Sequence, residues 1–303
     1  MKKQNLASRL WQYQAERFPI FGHGPLVAAF SFSAISYSII SRGAEGFVPW
    51  QVFGGGIFIT ISLFLLVRIF DEFKDREDDL QHRPHLPVPR GLVTLGELRN
   101  VGIMAVLLQL AVQCWLFPQM LPFYFMVVGY LCLMGKEFFA VEWLKARPFW
   151  YVTSHMVIIP LVDVYASGLD WHLSGANPPF GLVFFFLVSF LNGIVLEIGR
   201  KIRTPENEEF NTYSTMMGAG KATRLWLWVL FATLLAACAA AWYAGFGWVG
   251  AGVLIGIFIL CGAQGILFLS DQTPKKAKFI EYASAFWTIA MYLTLGGIPM
   301  LFR

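Results

Sequence analysis

Three features of the sequence predict an all-α integral membrane protein: its composition, its apolar runs and the distribution of its basic residues. Of its 303 residues, 57% are hydrophobic and only 14% are charged, and the chain contains 29 Phe and 11 Trp. Soluble globular domains are less apolar and carry about 25% charged residues. The composition therefore excludes an ordinary soluble domain and favours a chain that crosses a membrane several times.

The apolar runs have the length that a membrane-spanning helix requires. Crossing the hydrocarbon core of a bilayer takes about 20 residues in a helix. The hydropathy pattern predicts about nine such helices, at residues 24–41, 50–70, 98–117, 120–136, 148–167, 179–199, 223–245, 247–270 and 279–301.

The basic residues indicate how these helices are oriented. If the N-terminus lies in the cytoplasm, 21 of the 23 Lys and Arg residues fall in cytoplasmic segments, and only Arg42 and Arg303 do not. Cytoplasmic loops of membrane proteins carry such an excess. We therefore predict an integral protein of the cytoplasmic (inner) membrane of a bacterium, with its N-terminus inside. The net charge of +4 then reflects topology and does not indicate nucleic-acid binding.

The N-terminal segment is too polar to be a cleaved signal peptide. We predict that residues 1–22 form an interfacial segment, with an amphipathic helix over residues 5–18. Together with the spans that follow, residues 1–303 are predicted to form a single polytopic membrane domain. The four cysteines fall in predicted spans without a CxxC pair, which argues against disulfides and zinc. Nothing in the sequence indicates an oligomeric state.

An acidic stretch follows the second apolar run, with six carboxylates between Asp71 and Asp79. Asp71, Asp75 and Asp79 are spaced four apart, so each step along a helix turns by only about 40° and places all three on one face. Like charges at this spacing destabilise a helix. Mg²⁺ prefers carboxylate and phosphate oxygens, so a bound ion would relieve the repulsion. The alternative interpretation is an acidic helix end exposed to solvent.

A basic loop follows at once, so candidate metal ligands lie next to candidate anion ligands. The stretch DEFKDREDD, followed by RPHLPVPRG, resembles the first signature of the UbiA superfamily of intramembrane prenyltransferases, NxxxDxxxD followed by a segment such as RPLPSG. Asp75 and Asp79 match its aspartates, and Asp71 stands where the signature has Asn. The resemblance implies transmembrane helices bundled around a central cavity that opens at the cytoplasmic side, where the active site lies.

The resemblance also implies a Mg²⁺ cofactor, an isoprenyl diphosphate substrate and a lipid bilayer as surroundings. Asp71, Asp75 and Asp79 are then catalytic and metal-binding residues. Lys145 and Arg147 lie where the family has a Lys-Arg pair that grips diphosphate, although ordinary charge flanking a span explains them equally well.

A second acid-base cluster follows the sixth span, where the family has another aspartate motif. Glu197, also a catalytic candidate, matches its first acid and Glu208 falls near its last, but Thr204 stands at the spacing of the middle acid. This departure leaves open whether two metals bind. The predicted metal ligands are therefore Asp71, Asp75, Asp79, Glu197 and Glu208, and the predicted diphosphate ligands are Arg17, Arg68, Arg83, Lys145, Arg147, Arg200 and Lys201. For Arg17 and Arg68, snorkelling and ion pairing are the alternatives.

The predicted reaction is ionisation of the prenyl diphosphate, with metal and bases neutralising charge on the departing group. Two fates of the allylic cation are open. Capture by an aromatic or lipophilic acceptor is prenyl transfer, which we favour, and capture by the cation's own double bonds makes the protein a terpene cyclase of the same superfamily. A transporter is less favoured, because its functional charges would lie near mid-membrane, whereas these clusters lie at one face.

Overall fold

The computed structural model describes residues 5–204 and 212–302, and all regular structure within them is helical. Nine helices in this part of the chain are long and apolar enough to cross a membrane, which confirms the all-α class and the number of spans. They cover Ile20–Ser41, Trp50–Lys74, Leu95–Leu116, Pro118–Gly135, Pro148–Trp171, Leu182–Arg200, Ala219–Tyr243, Gly247–Ser270 and Pro274–Leu301.

Some observed helices are longer than the apolar runs, because the backbone hydrogen bonds of a helix can continue into polar sequence. The second span continues to Lys74 and so includes the first acidic residues. The ninth begins at Pro274, after Thr273, whose side chain accepts a hydrogen bond from the Lys276 amide. A capping side chain followed by proline starts a helix even where the first turn is polar.

The described chain forms two compact units. Unit one comprises Met1–Ser31 and Val48–Pro148, and unit two comprises Phe32–Phe47 and Phe149–Arg303. The helix Ile20–Ser41, here α2, contributes its first part to unit one and its second part to unit two. The single polytopic domain and the central cavity stay predictions.

Unit one begins with the predicted N-terminal helix, α1, capped by the Asn5 side chain, which accepts from the Ser8 amide at 2.8 Å. The buried Tyr13 of α1 packs against Ile69, Val93 and Leu98. This contact attaches α1 to the helices that carry the acidic stretch. The helices of this unit besides α2 are α1 (Leu6–Arg17), α3 (Trp50–Lys74), α4 (Arg76–His82), α5 (Leu95–Leu116), α6 (Leu121–Gly135) and α7 (Val141–Lys145).

Unit two contains two spans with irregular backbone. The fifth is interrupted at Val157, ahead of Pro160, which has no amide to donate. The ninth contains a π-helical turn at Leu293–Gly297, and Gly296 lies so close to the Ser33 backbone that a Cβ would overlap it. The helices are α8 (Pro148–Met156), α9 (Ile158–Trp171), α10 (Leu182–Arg200), α11 (Tyr213–Met217), α12 (Ala219–Tyr243), α13 (Gly247–Ser270), α14 (Pro274–Tyr292) and α15 (Ile298–Leu301).

Arg42, one of the two basic residues that fall outside the positive-inside pattern, is held by an ion pair in unit two. Its Nη2 lies 2.7 Å from Asp170 Oδ1, and the Ser38 hydroxyl donates to Asp170 Oδ2 at 2.7 Å. Asp170 is therefore a neutralised, hydrogen-bonded carboxylate.

Candidate metal and diphosphate site

The acidic end of α3 continues the buried face of that helix. Ile59, Leu63, Leu66 and Ile69 are all buried, at the three- and four-residue spacing of one face. The next position on this face is Glu72, whose side chain is only 1% exposed. The helix therefore carries a carboxylate into the interior of unit one, where a charge requires partners.

Three donors surround the Glu72 carboxylate. Its Oε1 accepts from Arg17 Nε at 2.6 Å, from Arg68 Nη2 at 3.2 Å and from the Tyr13 hydroxyl at 3.4 Å. Burial, and then the charge of Glu72, raise the pKa of Tyr13, so the tyrosine remains a neutral donor. Glu72 thus ties α1 to α3 and is occupied by bases, which makes it a structural residue in this arrangement.

Asp71 and Asp75 lie on a neighbouring face and remain accessible, with 27% and 36% of their side chains exposed. The Lys74 ammonium lies 3.6 Å from Asp71 Oδ1 and 3.9 Å from Asp75 Oδ1, so the two carboxylates face one cation. Partial desolvation is the main cause that raises the pKa of Asp75 to about 6. The charge of Lys74 opposes this rise, and the charges of Asp71 and Asp79 add to it. We call Asp71 and Asp75 the accessible pair.

Asp79 lies one turn further along the chain but points into the protein. The chain bends at Asp75 between α3 and α4, yet the amides of Asp75, Asp79 and Arg83 still donate to carbonyls four residues earlier, at 2.8, 2.8 and 2.9 Å. Asp79 is 3% exposed, and its carboxylate lies 3.1 Å from Arg83 Nη1 and 3.9 Å from Arg17 Nη2. The three carboxylates expected on one face therefore differ in exposure. Asp71 and Asp75 are accessible, whereas Asp79 is buried and ion-paired.

The accessible pair offers two carboxylates of the kind that Mg²⁺ uses. In the part of the chain that the structure describes, no three His, Cys, Asp or Glu side chains lie close enough together to hold a metal. Asp71 and Asp75 both lie within 3.9 Å of the Lys74 ammonium, so their oxygens are close enough together to share one positive charge. Mg²⁺ commonly uses one or two carboxylates together with phosphate oxygens and water. An ion held here would bind diphosphate oxygens and neutralise their charge.

The segment after α6, which includes the short helix α7, places Lys145 and Arg147 at the surface of unit one. The Arg147 guanidinium stacks on Trp143, 4.7 Å from the ring centroid, and donates to the Trp143 carbonyl at 3.3 Å. Lys145 is the last residue of α7 and is exposed. Their contact with diphosphate stays a prediction.

In unit two, Glu197 on the last turn of α10 is paired with two bases of its own segment. Its Oε2 lies 2.5 Å from Arg200 Nη2, and its Oε1 lies 2.7 Å from Lys201 Nζ. Both carboxylate oxygens are thus occupied, and the Glu197 side chain is only 13% exposed. This geometry suits a residue that orients two bases, and its predicted role as a metal ligand stays a prediction.

Glu208 lies outside the described residues, so its predicted metal role also remains a prediction. Thr204, at the spacing of the middle acid, is buried, at 2% exposure. From the sequence alone, no role was assigned to Glu72 or Tyr13. A signal for Glu72 was present, since it follows Ile69 by three residues on a face that is apolar throughout the span.

The comparisons with known proteins agree with this architecture. The model of the UbiA prenyltransferase family matches residues 29–293 of the chain. No curated protein matches the sequence. A structure described as digeranylgeranylglyceryl phosphate synthase in membranes has a TM-score of 0.60 at 15% identity, and the alignment covers 96% of this chain and 99% of the other.

Two further solved structures are UbiA homologues. The apo structure from Aeropyrum pernix K1 has a TM-score of 0.65 at 12% identity, with 88% of this chain and 96% of the other covered. The structure from Archaeoglobus fulgidus, bound to DMAPP and Mg²⁺, has a TM-score of 0.47 at 14% identity, with 89% and 96% covered, and this score is too low to indicate a common fold. The first two show the fold alone, whereas the family match spans most of the sequence and includes both acid-base clusters. The chain therefore belongs to the UbiA prenyltransferase family.

Proposed function

We propose that this protein is a Mg²⁺-dependent intramembrane enzyme that ionises an isoprenyl diphosphate and transfers the prenyl group to an aromatic or lipophilic acceptor. Membership of the UbiA family supports a prenyltransferase-type function with a prenyl diphosphate substrate. The single observation that carries the proposal is the accessible pair. Asp71 and Asp75 face one cation at the polar end of a helix long enough to span a membrane.

The residues around the pair have complementary tasks in this proposal. Asp71 and Asp75 would hold the metal, whose charge would offset the negative charge that develops on the diphosphate. Arg68 lies 3.6 Å from Asp71, so its guanidinium is placed to contact an anion bound beside the pair. Arg17 contacts Glu72 and Asp79 and keeps α1 at this position.

Asp79 becomes a third ligand of the same metal when its ion pair with Arg83 opens. Its partner Arg83 keeps 39% of its side chain exposed, so the guanidinium has room to turn from Asp79 towards a bound diphosphate. That exchange frees a carboxylate for the metal and supplies a base to the anion. Bidentate arginine contacts are well suited to phosphate oxygens.

Unit two contributes further candidate anion ligands in this proposal. Arg200 and Lys201 both contact Glu197, which holds the two positive charges close together. Arg200 keeps 60% of its side chain exposed and Lys201 keeps 29%, so both can bind an anion without losing Glu197 entirely. We propose that Glu197 orients these bases, and that Lys145 and Arg147 bind diphosphate from the surface of unit one.

A terpene cyclase is the second candidate, because two departures from the family signatures set this chain apart from a standard quinone-pathway prenyltransferase. Asp71 replaces the Asn of the first signature, and Thr204 occupies the spacing of the middle acid in the second. Both change the charge of the site relative to an enzyme with the standard signatures. In a cyclase the allylic cation reacts with its own double bonds, and no acceptor is required.

Product analysis separates these candidates. Purified protein is incubated with Mg²⁺ and geranyl, farnesyl or geranylgeranyl diphosphate, with and without a panel of aromatic and lipid acceptors, and products are identified by mass spectrometry. Diphosphate release that requires an acceptor supports transfer, whereas a cyclic hydrocarbon or alcohol without acceptor supports cyclisation. Removing metal with EDTA should stop either reaction, and adding Mg²⁺ should restore it. Absence of Mg²⁺-dependent release from every diphosphate would contradict the proposal.

A further inference from the structure

Unit two contains a buried polar cluster that the proposed chemistry does not use. Asp163 on α9 is 0% exposed, and in residues 5–204 and 212–302 neither of its carboxylate oxygens has a hydrogen-bond partner. Asn192 on α10 is 1% exposed, and neither atom of its amide is hydrogen-bonded within the same residues. Two unpartnered side chains therefore lie deep inside segments that are long and apolar enough to span a membrane.

Two hydroxyl groups complete this cluster. The Tyr292 hydroxyl, on α14, donates to Ser189 Oγ, on α10, at 3.0 Å. Ser189 lies beside the Asp163 carboxylate, and Tyr292 lies beside both Asp163 and Asn192. Three helices of unit two thus direct oxygen atoms towards the same small region.

Asp163 differs from Asp170, the other carboxylate on α9, in its lack of a counter-charge. Asp170 is paired with Arg42 and accepts from Ser38. No Lys, Arg or His of the described chain acts on Asp163, and its polar neighbours are the hydroxyl groups of Ser189 and Tyr292. An isolated buried carboxylate is costly, so native proteins neutralise it with an ion pair, a bound cation or a proton.

The backbone is irregular on both sides of the cluster. The fifth span is interrupted at Val157 and carries Pro160 one turn before Asp163, and the π-helical turn Leu293–Gly297 begins directly after Tyr292. π-Turns occur frequently at functional sites, and irregular backbone within a membrane is tolerated where it surrounds a polar site. In transporters, interrupted helices of this kind surround bound sodium ions or protons.

We propose that Asp163, Ser189, Asn192 and Tyr292 form a membrane-embedded binding site for one dehydrated alkali-metal cation, for which sodium is the probe. Hard cations prefer carboxylate, amide and hydroxyl oxygens, which this cluster provides. The single carboxylate balances one positive charge, whereas a divalent ion would leave a net charge in a low-dielectric interior. The ion would connect α9, α10 and α14, so its binding stabilises unit two. This inference is independent of the proposed enzymatic function.

Thermal unfolding of the purified full-length protein tests the site. The wild type is titrated with NaCl and, at matched ionic strength and pH, with choline chloride. We expect Tm to rise in sodium by about 5 °C and then saturate, because a ligand that binds only the folded state stabilises it. Asp163→Asn should abolish the sodium-specific rise, and Asp170→Asn, a matched control on the same helix, should keep it. Binding of ²²Na⁺ should reach about one ion per chain in the wild type and fall close to zero in Asp163→Asn.

Several results would overturn the proposal. One is identical sodium and choline curves for the wild type, and another is a sodium response retained by Asp163→Asn. An infrared carbonyl band of a protonated carboxylic acid, present in sodium and lost in Asp163→Asn, would show that a proton occupies the position instead. If Asp163→Asn does not fold, Ser189→Ala provides the test, since losing one neutral oxygen should raise the half-saturating sodium concentration about tenfold; an unchanged concentration would contradict the site.

Discussion

The described residues of the two acid-base clusters differ in how their charges are paired. From Arg68 to Arg83, six carboxylates accompany four Lys and Arg side chains, whereas from Glu197 to Thr204 one carboxylate accompanies three. The remaining acids of the second cluster, Glu206, Glu208 and Glu209, lie outside the described residues. The first cluster leaves Asp71 and Asp75 accessible, while the second occupies both oxygens of Glu197 with bases. We therefore expect the described residues of the first cluster to attract a cation and those of the second to attract an anion.

The difference arises from how each cluster is neutralised. In the first, the bases Arg17, Arg68 and Arg83 are directed mainly to the buried acids Glu72 and Asp79. Within the described residues, the accessible pair is then in contact with Lys74 and, at 3.6 Å from Asp71, with Arg68. In the second cluster, Glu197 is paired with two bases of its own segment. Burial of some carboxylates thus leaves others available for a metal.

The largest expected effect tests the accessible pair. Asp75→Asn should reduce Mg²⁺-dependent diphosphate release by on the order of 10²- to 10³-fold, since the metal loses a charged ligand and the leaving group loses its stabilisation. The measurement is the rate of diphosphate release at several Mg²⁺ concentrations. Asp78→Asn is the matched control, because Asp78 is exposed and lies outside the pair. Equal rates of diphosphate release for Asp75→Asn and Asp78→Asn would contradict the metal-binding role assigned to Asp75.

The second prediction concerns Glu72, which the structure makes a structural carboxylate. Glu72→Gln should destabilise the protein by about 3 kcal/mol, because Arg17 and Arg68 lose their buried partner. The measurement is a lowered Tm in detergent, with Glu77→Gln at an exposed position as control. If folded Glu72→Gln kept wild-type stability but lost its Mg²⁺ response, Glu72 and not the accessible pair would be the metal ligand.

The third prediction tests the anion-binding character of the second cluster. Replacing both Arg200 and Lys201 by Ala should raise KM for the prenyl diphosphate about tenfold, with a smaller change in kcat, since charged hydrogen bonds to the substrate are lost. Lys278→Ala provides the control, because Lys278 pairs with Glu281 in the same unit. A shift in the Mg²⁺ requirement without a change in KM would assign this cluster to metal binding. It would then contradict the difference proposed between the two clusters.

The smallest expected effect sharpens the role of Asp71. Asp71→Asn restores the amide of the family signature and keeps an oxygen ligand, but it removes one negative charge from the pair. We expect the half-saturating Mg²⁺ concentration to rise about fivefold, because ligand charge sets cation affinity. Titration of activity with Mg²⁺ measures this. A loss as large as that of Asp75→Asn would show that the two carboxylates contribute equally.

Much of the candidate site could be predicted from the sequence because its signals are local. Asp71, Asp75 and Asp79 share a four-residue spacing that persists as backbone hydrogen bonds in the structure. The spacing does not predict which carboxylates are buried. That depends on which acids form ion pairs with Arg17 of α1 and with Arg83 of the following loop. Arg83 is one helical turn away from Asp79 in the sequence, whereas Arg17 is separated from Asp75 and Asp79 by the first two spans.

The sequence alone determined the all-α class, the spans and the acidic signature, since hydropathy over about 20 residues and charge spacing over two turns are properties of contiguous chain. Tertiary structure decided that Arg17 reaches Glu72 from another helix, and that no base of the described residues lies near Asp163. The physical reason is that the energy of a charge depends on everything within a few ångströms, and in a folded chain most of those atoms come from distant positions.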